Sequence, residues 1–113
     1  TLIGTGFLGR PSDKSNLDLQ LNINRALIEA NADIFSTGSV ALNLAYTAAG
    51  RIDGVVQNGV VAEEIDAGLL ILREAGGLSA DFTGGTDIRG KGELIAANPK
   101  LFKALVTKVH SLK

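Results

Sequence analysis

Short apolar runs alternate along this chain with longer stretches of helical spacing, and that alternation limits its fold more than any other feature. Residues 1–5 read as a strand, and the breaker-rich Gly9-Arg10-Pro11-Ser12-Asp13-Lys14-Ser15-Asn16 reads as a loop. Residues 16–32 are ambiguous at first. Leu17, Leu19, Leu21 and Ile23 alternate as in a strand, while Leu19, Ile23, Leu27 and Ile28 share one helix face. The segment is long for a strand and Arg25-Ala26-Leu27-Ile28-Glu29-Ala30 favours helix, so the reading is helix. Ile34-Phe35 is a short apolar pair leading into a turn, with a brief strand left open. Ser36-Thr37-Gly38-Ser39 then supplies N-cap chemistry for a helix over 40–49, which Gly50 can end.

The second half repeats the pattern. A strand is expected over 52–56, a turn at Asn58-Gly59, and a helix over 63–75 that opens on Glu63 and Glu64 and stops at Gly76-Gly77. Strands are expected over 78–82 and 93–97, separated by a glycine-rich loop. Pro99 starts a last helix carrying Leu101, Phe102, Leu105, Val106 and Val109. The predicted class is α/β: a mixed β-sheet with helices on both faces.

A chain of 113 residues suits one domain with one core. Hydrophobic residues at 45% and charged residues at 20% argue against wholesale disorder. A net charge of -1 gives no sign of a basic face, so no direct nucleic-acid contact is expected. The absence of cysteine removes disulfides, thiolate catalysis and cysteine zinc sites, and fits a cytoplasmic setting. No apolar run approaches the roughly 20 residues of a membrane span, so no membrane association is expected. The chain starts at Thr1 within an apolar run and holds no methionine, which reads as a fragment of a longer protein or as a trimmed small domain.

Gly4-Thr5-Gly6-Phe7-Leu8-Gly9 is a literal G-x-G-x-x-G after a strand, the form of a dinucleotide-binding loop. That motif needs a helix to open within the glycine run, so that the helix N-terminus meets the phosphates. Arg10-Pro11-Ser12-Asp13 follows instead, and Pro11 biases Arg10 away from helical angles. A strand ending in a turn is the preferred reading.

Three stretches, taken in order, resemble the inositol monophosphatase family. They are Thr37-Gly38-Ser39-Val40-Ala41-Leu42-Asn43-Leu44-Ala45-Tyr46-Thr47-Ala48-Ala49-Gly50-Arg51-Ile52-Asp53-Gly54, then residues 65–77, then Ile95-Ala96-Ala97-Asn98-Pro99. Gly4-Thr5-Gly6-Phe7 looks like a family G-T-G-F-P segment with Leu8 in place of the proline. The resemblance covers nearly the whole chain but only the C-terminal half of the family's usual length, and is strongest to the bacterial extragenic suppressor type. It implies the C-terminal, substrate-side domain of that fold over 1–113. The N-terminal metal-binding domain, with its D-P-x-D-G-T motif, would be absent.

The resemblance further implies hydrolysis of inositol monophosphate or a related small phosphate monoester. Mg²⁺ would be held mostly by the absent half, and the isolated chain would be inactive, with no catalytic residue of its own. The family's substrate-holding backbone and side-chain groups fall on Gly38, Ser39 and Val40; an ordinary N-cap is the alternative there. Its substrate-recognising glutamate falls on Gln57, which is otherwise a solvated strand-end residue. Its metal-binding Trp-Asp pair falls on Glu63 and Glu64, so Glu64 is the candidate metal ligand; otherwise the two acids merely favour the helix dipole. Asp66 should point away from Glu64, and His110 reads as a surface residue. A homodimer is expected by resemblance. The departures at these positions motivate a second function, a non-catalytic interaction or regulatory module, and the resemblance to the extragenic suppressor type implies its link to the transcription machinery.

Overall fold

The computed structural model describes residues 1–6 and 14–112, with only the backbone described for 14–16. Ten elements follow one another: β1 (Leu2–Gly4), α1 (Lys14–Glu29), β2 (Asp33–Phe35), α2 (Val40–Ala48), β3 (Gly54–Asn58), α3 (Ala62–Glu74), β4 (Leu78–Ala80), α4 (Ile88–Lys91), β5 (Glu93–Ala97) and α5 (Pro99–His110). The expected loop over 9–16 and the end of the glycine run lie largely outside the described residues. Residues 14–16 of that expected loop belong to α1 instead.

The strands form one sheet in the order β2-β1-β3-β5-β4. β1 runs parallel to β2 and β3, while β5 runs antiparallel to β3 and β4. The mixed sheet and its α/β class are as expected. Residue alternation divides the core between two faces. Val55, Leu94 and Ala96 pack with Val40, Leu44, Ile65 and Leu72 of α2 and α3. Ile3, Val56 and Ile95 pack with Ile23 and Leu27 of α1 and with Leu105 and Val109 of α5. All five residues of β3 and of β5 are buried, as central strands covered on both sides must be.

Several boundaries depart from the expectation. The helix predicted to reach residue 32 ends at Glu29, because Asn31 takes a left-handed conformation with φ 69°. The strand predicted over 52–56 begins two residues later. Arg51 and Ile52 still direct their N–H groups to Tyr46 O. Asp53 then docks on β1, exchanging its N–H to Leu2 O (2.8 Å) and its Oδ2 with the Leu2 N–H (2.7 Å). Gly54 opens the strand where a Cβ would stand 2.7 Å from Ala96 O, a position only glycine fits.

The strand predicted over 78–82 stops at Ala80, and the loop after it contains α4, which the sequence reading missed. Buried Asp81 organises this turn. It accepts hydrogen bonds from Thr83 N (2.9 Å), Thr83 Oγ1 (2.7 Å), Gly85 N (2.8 Å) and Asp87 N (3.2 Å), and pairs with Lys91 Nζ at 3.3 Å. Asp87 caps α4 through Gly90 N, and left-handed Gly92 ends it. Among the described residues no helix is long and apolar enough to cross a membrane.

Candidate functional site

Because β1, β2 and β3 are parallel, their C-terminal ends share one edge of the sheet. The chain leaves β1 for β2 on one side and returns to β3 on the other, with α1 and α2 on opposite faces. A crevice outside the strand ends at such a reversal is where open α/β sheets place ligands. The α2 N-terminus and the end of β3 both lie at this edge.

The turn entering α2 is built by short polar side chains. Gly38 has φ +81° and open space where a Cβ would stand. Its N–H donates to Ser36 Oγ at 3.3 Å. The Thr37 hydroxyl accepts the Ser39 N–H at 3.1 Å and lies 2.9 Å from both Ser39 O and Asn43 Oδ1. Ser39 is the N-cap, its Oγ accepting the Leu42 N–H at 3.2 Å. That leaves the Val40 and Ala41 N–H groups in a first turn that has no intrahelical acceptors for them. The N-cap role of Ser39 is therefore real, and Val40 contributes backbone only, since its side chain is in the core.

Gln57 corrects one alternative. It is not a solvated strand-end residue: it is 3% exposed. Its carboxamide lies over Gly6, where a Cβ would come within 3.0 Å of Nε2. Among the described residues, buried Gln57 Oε1 has no hydrogen-bond partner. A buried acceptor left unpaired costs about 1–3 kcal/mol. The link from Gln57 to the α2 turn is continuous: Gly6 lies beneath Gln57, Thr5 O accepts from Asn43 Nδ2 at 3.4 Å, and Asn43 meets Thr37.

Two residues that sequence reasoning overlooked hold this arrangement. Asn43 sits on the buried face of α2, between Val40 and Thr47, and is 1% exposed. A polar residue at core spacing was the available signal. Gln20 of α1 is 2% exposed and sits beside β3. Its Nε2 donates to Val56 O at 3.2 Å and to Asn24 Oδ1 at 2.9 Å, and its Oε1 accepts the Asn58 N–H at 2.6 Å. On β3, β1 pairs with Gly54 and Val55, so among the described residues one side of the last β3 residues has no neighbouring strand. The Gln20 carboxamide takes the place of that neighbour.

Glu63 and Glu64 are exposed in the first turn of α3, at the favourable end of its dipole. Asp66 indeed faces elsewhere, pairing with Arg89 at 2.8 Å. His110 is exposed in the last turn of α5. Among the described residues no three acidic or histidine side chains converge. The donor set of these residues does not amount to a Mg²⁺ shell, and Glu64 offers one carboxylate toward it.

The family profile of the inositol monophosphatases matches residues 8–113. The chain is 44% identical over 109 residues to the Nus factor SuhB of Pseudomonas aeruginosa, covering 96% of this chain and 40% of that protein. It is 40% identical over 110 residues to the Nus factor SuhB of Escherichia coli K12, covering 97% and 40%. Among solved structures it resembles the extragenic suppressor protein suhB of Bartonella henselae, with a TM-score of 0.83, 34% identity, and coverage of 96% and 40%. It also resembles the inositol monophosphatase of Anabaena, with a TM-score of 0.85, 26% identity, and coverage of 100% and 44%. The chain thus spans about 40% of the length of the curated relatives it matches.

Proposed function

This chain belongs to the inositol monophosphatase family, and from that membership we propose that it works as a SuhB-like interaction module, linked to the transcription machinery, with no phosphatase activity of its own. The observation that carries this reading is Gln57. The family resemblance puts a substrate-recognising carboxylate there, and this chain has a neutral, buried amide. Glu63 and Glu64 replace the Trp-Asp pair in the same way, as exposed acids that serve the α3 N-terminus. The likeness to proteins described as Nus factors supports the transcription link. Residence in the cytoplasm and a homodimeric state belong to the same proposal.

A second reading is favoured by the α2 turn. Open N–H groups at a helix start, beside an unpaired amide oxygen, suit an anion that also carries hydroxyl donors. A phosphorylated polyol has that chemistry. In a longer protein supplying further carboxylates, Gly38, Ser39 and the Val40 N–H would hold the phosphate monoester and Gln57 its hydroxyls. Glu64 would lend one oxygen to Mg²⁺. The metal would supply an acidified water and charge neutralisation.

One pair of measurements separates the two. Tagged chain is mixed with purified transcription elongation complexes and fractionated by size, and phosphate release from inositol monophosphate is followed with and without Mg²⁺. Co-migration without Mg²⁺-dependent release is expected. Turnover without co-migration overturns the interaction reading.

A further inference from the structure

Among the described residues β4 is an edge strand, bonded to β5 on one side. The direction of its backbone groups follows from alternation. Phe82 N donates inward to Glu93 Oε1 of β5, and Asp81 N turns the other way, to Gly85 O. Counting back, Leu78 and Ala80 face β5, and Ser79 points its N–H and C=O off the sheet edge.

A groove of about 560 Å³ lies at this edge, lined by Leu69, Leu70 and Arg73 of α3, Leu78 and Ser79 of β4, and Arg89 of α4. Leu70 is 55% exposed and Leu78 44%. Arg89 is held by Asp66 at 2.8 Å, and among the described residues Arg73 makes no ion pair. The groove therefore combines an apolar wall, one outward-facing strand residue and the Arg73 guanidinium, which has no ion-pair partner among the described residues. Extended peptides bind such edges by adding a strand, with main-chain bonds for affinity and flanking side chains for choice.

We propose that the groove beside β4 takes up an extended, acidic segment of a partner protein as an added strand. The proposal rests on the interaction-module reading and names the chemistry of the partner. Ser79 supplies the two main-chain bonds, Leu78, paired with Ala97 on the α5 face, takes the aliphatic side chains, and Arg73 on the α3 face pairs with the carboxylates that alternate with them.

The test is a titration of the ¹⁵N-labelled chain with acetyl-Glu-Val-Glu-Val-Glu-Val-amide, against a lysine-valine peptide and a uridine oligonucleotide. Expected are shift changes centred on residues 69–73 and 78–80 with the acidic peptide alone. Ser79→Pro removes the outward N–H without touching the β5 ladder and should abolish the changes. Arg73→Glu, at an exposed position, should weaken binding about tenfold or more. Unchanged spectra, changes centred elsewhere, or binding indifferent to both variants would each overturn the proposal. So would the oligonucleotide binding in the peptide's stead, or the chain pairing with itself through this edge. Variants that still co-migrate unchanged with elongation complexes would sink the groove and leave the interaction reading standing.

Discussion

Asn58 gives its backbone N–H to Gln20 Oε1 at 2.6 Å, across 38 residues of sequence. The same carboxamide donates to Val56 O, so a helix side chain takes up the main-chain groups at the end of β3. Replacing Gln20 with leucine strands a buried donor and a buried acceptor. The expected loss is about 2–4 kcal/mol, read by urea denaturation, together with faster hydrogen exchange at Asn58.

Gln57 should behave differently, although it is equally buried. Among the described residues its Oε1 has no partner, so Gln57→Met should cost less than about 1 kcal/mol. Gln57→Glu restores the family's carboxylate but buries it. Burial raises a carboxylate's folded pKa above its unfolded value of about 4.3, so the variant should lose stability progressively as pH rises above that value. Denaturation midpoints at several pH values check both.

Asp81 titrates in the opposite sense. Burial alone would raise its pKa, but hydrogen bonds from Thr83 and Gly85, with Lys91 alongside, outweigh burial and hold it well below the usual carboxylate range. A depressed folded pKa contributes stability above the unfolded value of about 3.9 and loses it as pH falls further. Asp81→Asn should therefore be less stable than the parent at neutral pH, by about 1–3 kcal/mol, with the gap narrowing below about pH 4. Paired thermal melts from pH 7 to pH 3 give the curve.

Gly68 marks the closest approach of α3 to α2. An added Cβ would stand 2.7 Å from Leu44 Cδ1 and 2.9 Å from Leu44 Cβ. Alanine is the better helix former by about 1 kcal/mol, yet the rigid Leu44 Cβ cannot move aside alone. Gly68→Ala should destabilise by about 1–3 kcal/mol net, measured by denaturation.

The elements that were legible carry their signals locally. Pro99 in the first turn of α5 and the acids opening α3 sit within a residue or two of the boundaries they mark. The start of β3 was not legible, because Asp53 is held by Leu2, 51 residues away. α4 was missed because Asp81, outside the helix, organises the turn that leads into it. At the candidate site the Gly38-Ser39 turn could be read from its residue types. The burial of Gln57 could not, since it depends on Gly6 beneath it and on a sheet edge closed by α1.

β1 lies inside the sheet, and both its neighbours, β2 and β3, follow it in the chain. On the ribosome, β1 would emerge long before residues 33–35 and 54–55 exist to pair with it. Until then neither of its two sheet partners is present to take up its main-chain groups. Assembly must wait for contacts distant in sequence, which slows folding and lengthens exposure. A chain wired this way gains from chaperone cover during synthesis, and its yield on expression should respond to translation speed between β1 and β3.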